Sequence, residues 1–505
     1  MMKTILLKDL EKNEEIFRNL FTDCDDVVFR RIEIGDVYKV KLTLVYIDGL
    51  VSKEYIAEHG IFSLFIEEEI KTFSLQGFKT PLIDIISKEA LSTIDIKEEF
   101  HVDNIVDSIL SGDTIILIDK IDKCLIFDSK GWPARGVEEP QTETLVRGPR
   151  DGFVESVKAN MTLVRRRIKD TNLKIKMHTV GRRSQTSVAV MYIEDIVDKS
   201  LINDVNERLK SVDIDAILDS SMLENLIEDN YLSAFPQIEN TERPDSVAAA
   251  LYEGRVAIIV DNSPFVLIVP ATIGTLLQST EDYYARWQET QGVRFLRLLA
   301  VFLAVLSPAL YISIISYHPG LLPTKLTYYL AASRINVPFP AVVETFLMEV
   351  TIELIRESGT RISGPIGATV GIVGGLIIGQ AAVEAGIVSA ILIIIVATTT
   401  IASFAIPSYE FAAGLRVWRF ILIILASVLG LYGVMLGIIL LGTHLIKLDS
   451  FGVPFTSPYS GLGVGSGELK DTLFKTPIQY LKERPTFTHP RNKRRMGRSW
   501  KDAKK

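Results

Sequence analysis

The residues best suited to chemistry lie in the C-terminal half, and they are charges placed where a bilayer would oppose them. The stretch VPFPAVVETFLMEVTIELIRESGTR (337–361) has a helical pattern and puts Glu349, Glu353, Arg356 and Glu357 on one face. Ionisable groups at membrane depth need a partner or a wet cavity. The segment is therefore expected to lie along the interface, to re-enter, or to face water inside an assembly. Acidic side chains facing a pore favour cations, which makes Glu349 and Glu353 candidate pore-lining residues. Pro338, Pro340 and Pro365 bracket the segment as breaks.

The next stretch, SGPIGATVGIVGGLIIGQAAVEAG (363–386), sets Gly367, Gly371, Gly375 and Gly379 at intervals of four. Each glycine costs a helix about 1 kcal/mol relative to alanine. The stripe is therefore explained by close approach of another helix backbone, and these four are candidate helix-packing residues. Ile366, Val373, Ile377, Gln380 and Glu384 fall on the opposite face. Two readings of that face stay open. In one, its apolar part meets lipid and Gln380 and Glu384 mark the interface. In the other, a symmetric ring of these helices makes a pore in which Val373 and Ile377 form a hydrophobic constriction and Gln380 and Glu384 line a wet mouth.

Other chemistries find no support. The chain has no G-x-x-x-x-G-K-[ST], no H-E-x-x-H, no G-x-S-x-G and no clustered histidine, so no catalytic, metal or cofactor residues are assigned and no enzyme is expected. GLGVGSGELKDT (461–472) has glycines suited to a phosphate turn, but lacks the preceding strand and the Lys-Ser/Thr, and reads as a loop. His318 and His444 sit at predicted membrane edges, and Cys24 and Cys124 read as reduced thiols. A net charge of −7 argues against a nucleic-acid partner. The tail 491–505 carries eight Lys or Arg against one Asp, which fits an anionic lipid surface.

These residues need a membrane frame. Uncharged apolar runs predict four spans, at about 296–317, 365–383, 387–406 and 417–444, with the acidic amphipathic helix 338–357 beside them. Four spans place both termini in the cytoplasm, in agreement with the basic tail. A fifth, through the acidic helix, would move the tail outside, and Arg416 and Arg419 fit that version better. The first 290 residues contain no such run, and no signal peptide opens the chain, so this part is expected to stay cytoplasmic.

The soluble part repeats itself. A strand running into a helix (39–56) and a helix end, Gly turn and hairpin (108–129) recur at 187–202 and 249–271. The predicted organisation is two α/β subdomains, 1–135 and 147–290, joined by a linker 136–146 and followed by a membrane domain 291–446 and a tail 447–505. Its fold class is an α/β soluble N-terminal region of two related subdomains followed by an α-helical multi-span membrane domain. One amphipathic helix is predicted over 147–170, with Arg165, Arg166 and Arg167 as a solvated face or subunit contact and an anion site as the alternative.

An ordered series of motifs carries a more specific resemblance: YIDGLV (46–51), RGPRDGFVES (147–156), NLKI and VGRRS (172–184), TERPD (241–245), LYEGRVAIIVDNSPFVLIVPA (251–271), QSTEDYY (278–284), HPGLLPT (318–324), VPFPAVVETFLMEVTIELIRESG (337–359) and GQAAVEAGIVS (379–389). In these the chain resembles the A subunit of the GerA-type spore germination receptors, with Ala368 standing where that pattern leads one to expect Gln. The resemblance implies the inner membrane of a bacterial spore and a complex with a transporter-like B subunit and a lipoprotein C subunit. It further implies self-association, as a pentamer, into an ion channel gated by a germinant. A non-conducting signalling or scaffold subunit is the alternative. A secondary transporter is a weaker one, because the repeat lies in the soluble half rather than among the spans.

Overall fold

A computed structural model of the chain describes residues 5–34, 40–52, 96–131, 139–140, 142–361, 379–460, 469–472 and 474–497. They divide into two compact units, one of Met1–Glu228, Ile238–Pro270 and Lys482–Lys505, the other of Asp229–Gln237 and Ala271–Leu481.

The first unit contains the sequence repeat as two five-stranded antiparallel sheets. The first copy runs α1 (Leu10–Leu20), β1 (Val27–Ile34), β2 (Val40–Ile47), β3 (Ile96–Glu99), α2 (Val102–Leu110), β4 (Thr114–Ile118) and β5 (Cys124–Phe127), with strand order β1-β2-β4-β5-β3. The second runs α3 (Val157–Arg165), β6 (Leu173–Val180), β7 (Thr186–Ile193), α4 (Lys199–Ser211), α5 (Ser220–Ile227), β8 (Glu239–Thr241), α6 (Pro244–Tyr252), β9 (Val256–Val260) and β10 (Val266–Val269). Its order, β6-β7-β9-β10-β8, is the same permutation. Central strands β4 and β9 are buried along their whole length, which explains their unbroken apolar sequence. In the first sheet Val45, Ile47, Ile115 and Leu117 pack beneath α1 and α2, while Leu42, Leu44, Ile116 and Ile118 form a core on the other face, as the two-residue period of a strand requires. The turn from helix to strand uses Gly112 at φ +93° in one copy and Gly254 at φ +89° in the other, a conformation that costs any residue with a Cβ.

The edge strand β6 is covered by the loop before β1. Ile175 N donates to Asp23 O at 3.1 Å and Asp25 N donates to Ile175 O at 3.0 Å. Beneath that seam the helix expected over 147–170 is regular only from Val157 to Arg165, with Phe153 and Ile168 buried outside its ends. Of its basic cluster Arg166 is exposed, as a solvated face requires, whereas Arg165 and Arg167 correct that reading. Arg165 is fully buried and bidentate to Asp26, at 3.0 Å from Nε and 2.8 Å from Nη2. Arg167 turns the other way to Asp151, at 2.6 Å. A buried guanidinium persists only with such a partner.

The second unit is helical: α7 (Trp287–Ser316), α8 (Thr324–Ser333), α9 (Ala341–Arg361), a short helix Gly379–Glu384, α10 (Ala390–Phe404), α11 (Tyr409–Leu429) and α12 (Leu431–Lys447). Among the described residues α7 and α11 are long and apolar enough to cross a membrane, and α10 and α12 are shorter apolar helices. Side-chain contacts fix the direction of each. At one end, called proximal, Phe235 meets Phe411 at the start of α11 and His444 at the end of α12, with ring centroids 5.5 and 6.0 Å apart. At the other, distal end, Tyr311 near the end of α7 meets Ser389 at the start of α10, Oη to Oγ 3.1 Å.

Where the sequence reading runs one span through 417–444, the structure has two antiparallel helices. The chain turns at Gly430, at φ +60°, and α12 returns along α11 with Gly433 against the Leu425 carbonyl and Gly437 against the Leu422 side chain. Hydropathy misses the turn because glycine breaks a helix without adding charge. The acidic segment 338–357 becomes α9, which runs from the distal end toward the proximal end against α7, α10 and α11.

Candidate functional site

Helix α9 follows Pro338 and Pro340, which stop the preceding chain from continuing into it. Its acidic residues then recur every four or five positions along the face turned toward α11. Glu344 is buried at the distal end, where its carboxylate accepts from the Ser389 backbone N–H and lies 3.3 Å from Arg334 Nη2. Glu349, 1% exposed, stands 3.0 Å from Nη2 of the equally buried Arg419. One turn on, Glu353 pairs with Arg356 at 2.8 Å and with Arg416 at 3.6 Å, and the Arg416 guanidinium lies 5.3 Å from the centre of the Tyr409 ring. Three levels of opposite charge thus tie α9 to its neighbours. Each would be costly in an apolar core if left single.

The pairing places two of the expected pore-lining residues, Glu349 and Glu353, against arginines of their own chain. Gln380 and Glu384 are exposed on the short helix, and Gln380 Nε2 donates to Glu384 Oε1 at 2.9 Å. Gly379 is buried, and a Cβ there would meet Ile393 at an ordinary 3.8 Å. Gly367, Gly371 and Gly375 of the packing stripe, and Val373 and Ile377 of the constriction, lie outside the described residues. The sequence reading missed Arg334, Ser389 and Tyr311 as members of the site. It took Arg416 and Arg419 as topology signals, although their spacing of three matches the four-residue spacing of Glu349 and Glu353 across a helix pair.

At the proximal end a second charged cluster closes on Asp282, which takes Arg294 Nε at 3.1 Å and Arg297 Nη1 at 2.8 Å. Arg294 also donates to the Asp471 carbonyl, and Lys475 pairs with Asp471 at 3.0 Å while lying over the Tyr283 ring. In the first unit the buried charges are taken up in pairs: Arg165 with Asp26, Arg243 with Asp245 at 3.0 Å, Arg255 with Glu239 at 2.7 Å. Burial pushes both the Cys24 and Cys124 thiols upward, so neither is a ready thiolate. Among the described residues no three His, Cys, Asp or Glu side chains come together as a metal site requires.

Comparison with known proteins decides the family. The model of the Bacillus/Clostridium GerA spore germination protein family matches residues 15–487. This chain belongs to the GerA spore germination family. Within it, spore germination protein KA of Bacillus subtilis is 41% identical over 494 residues, 98% of this chain and 89% of that protein. Spore germination protein B1 of the same organism is 41% identical over 491 residues, 95% and 98% of the two chains. A third relative at 40% identity, covering 98% and 94%, is the uncharacterized membrane protein YfkQ of Bacillus subtilis. None of the three is named as an enzyme. Among solved structures, the N-terminal domain of the A subunit of the Bacillus megaterium spore germinant receptor GerK3 is 29% identical, with a TM-score of 0.43 over 54% of this chain and 99% of that one.

Proposed function

We propose that this GerA-family chain is the A subunit of a nutrient receptor that triggers germination, and that it self-associates in the spore inner membrane into a germinant-gated ion channel. Its partners in this reading are a transporter-like B subunit and a lipoprotein C subunit, and the ring is a pentamer. The observation that carries the membrane part is the polarity of the helical unit. Glu344, Glu349 and Arg419 are inside, while Leu354, Ile394, Ile401, Phe404, Val428 and Tyr432 are exposed. Water would penalise that arrangement, and a bilayer supports it. The conducting part rests on the exposed Gln380 and Glu384, which follow the glycine stripe, with Val373 and Ile377 as the constriction.

The pairing of Glu349 with Arg419, and of Glu353 with Arg356 and Arg416, favours a second reading in which those charges hold the fold and the subunit signals without conducting. Potassium efflux from liposomes holding this chain with its B and C partners separates the two, comparing a germinant with a non-germinant. Germinant-dependent efflux that turns into a constant leak with Val373→Ala supports the channel. No efflux from a verified, assembled complex removes conduction and leaves the scaffold reading.

A further inference from the structure

Ion pairing does not account for the donors at the centre of the helical unit. Arg419 is at the midpoint of the 21-residue α11, about 15 Å from either end at the rise of an α-helix, and is 1% exposed. Its Nη2 faces Glu349 Oε2, but its Nε and Nη1 have no hydrogen-bond partner among the described residues, nor has Nη2 of the neighbouring Arg356. On the acceptor side the one comparable orphan of this group is Glu349 Oε1. Buried guanidinium donors left unmade cost heavily, so something polar completes them in the native state. Water balances donors and acceptors alike. The unmade contacts here are mostly of donors, on Arg419 and Arg356, against the single acceptor Glu349 Oε1, and an acceptor-only group fits that excess.

We propose that Arg419, with Arg356 and Arg416 leading to it from the proximal side, binds a small soluble carboxylate anion between α9 and α11. Glu349 is the competing internal anion: with the site empty it lies against Nη2, and an incoming carboxylate displaces it to take the Nε and Nη2 edge of the same guanidinium, the edge that Arg165 offers Asp26. A lipid headgroup is disfavoured by depth, since a phosphate would have to travel about 15 Å from the helix end to reach Arg419. The Arg356 and Arg416 side chains are 10% and 13% exposed, so the charged cluster reaches the surface on the proximal side. The proposal does not depend on ion conduction.

The test uses the full-length protein in neutral detergent micelles, with thermal unfolding followed as sodium acetate is titrated against a bulky sulfonate at equal ionic strength. A saturable rise in Tm with acetate alone is expected. The half-saturating concentration should increase about tenfold or more in the Glu349→Gln/Arg419→Gln variant, which removes both charges together. Where that variant does not fold, saturation-transfer NMR from protein methyl groups to acetate is compared between wild type and Arg416→Gln, whose signal should fall. An acetate response unchanged in these variants, no response in the wild type, or a response given only by phosphatidylglycerol overturns the proposal.

Discussion

Glu143 is a carboxyl group pressed by burial against two other carboxylates, Glu239 and Glu242, and its pKa is pushed up to about 7. Burial is the larger cause, and the hydrogen bond from Thr241 Oγ1, at 2.7 Å, and the nearby Arg243 charge only partly offset it. From its ordinary value of 4.5 up to about 7 the folded chain keeps a proton that the unfolded chain has released. The folded state is therefore favoured least at the top of that interval: stability falls as pH rises through it and levels off above it. Glu143 tethers the stretch before α3, since Arg243 Nη1 donates to its carbonyl at 3.2 Å. Amide exchange of residues 142–150, corrected for intrinsic rates, should speed up several-fold between pH 5 and pH 8 in the wild type, and Glu143→Gln should abolish that trend. At this scale the sequence shows which residues are charged but not which are paired. Arg165 looks like a surface arginine beside Arg166 and Arg167 because its partner, Asp26, is brought to it only by the seam between the sheets. Glu349 and Glu353 are legible as a face of a helix, whereas their arginines come from a helix far along the chain.

At the scale of elements, glycines decide how α11 and α12 pack, and the three in α12 differ in what they meet. A Cβ on Gly433 would collide with the Leu425 carbonyl, which the helix backbone holds in place, whereas one on Gly437 would strike the Leu422 side chain, which has rotamers to move through. Gly442 has nothing within 4 Å. Gly433→Ala should therefore destabilise the helical unit by about 1–3 kcal/mol. Gly437→Ala should cost less, and Gly442→Ala should stabilise by about 1 kcal/mol through helix propensity alone. Unfolding by SDS titration in mixed micelles ranks the three, and an equal loss at Gly433 and Gly442 would refute the close approach. The duplicated strands were readable because both copies keep the same apolar alternation and the same glycine turn, at Gly112 and Gly254. Edge strands β1, β3, β6 and β8 escaped the reading, since strands with one face or edge toward solvent carry a mixed pattern such as that of LKIKMHTV.

At the scale of the whole molecule, the direction of each helix bears on a question that charge counting leaves divided. The chain enters the helical unit at Trp287, near the Asp282 cluster that binds Asp471, and leaves it at Lys447, just beyond His444, whose Nε2 is 3.2 Å from Ser233. Entrance and exit share the proximal end. Between them the chain leaves α9 at the proximal end and is next described at Gly379, beside Ile393 in the first turn of α10 at the distal end. A bundle entered and left at one end is crossed an even number of times, which supports an even count of spans. Arg416 and Arg419 answer Glu353 and Glu349. The tail agrees: Arg491 N donates to Ile196 O at 2.8 Å and Thr488 Oγ1 to Glu253 O at 2.7 Å, so residues 482–497 return to the second sheet of the N-terminal unit. Single cysteines at two exposed positions test this, Tyr328→Cys in distal α8 and Tyr480→Cys beyond α12, in a chain whose own Cys24 and Cys124 are buried. In sealed proteoliposomes of one orientation a membrane-impermeant maleimide should label one of them only, and permeabilisation should expose the other. Labelling of both from the same side would mean that the bundle is not crossed as its helix directions require, and the membrane frame proposed for the charged layer of α9 would fall with it.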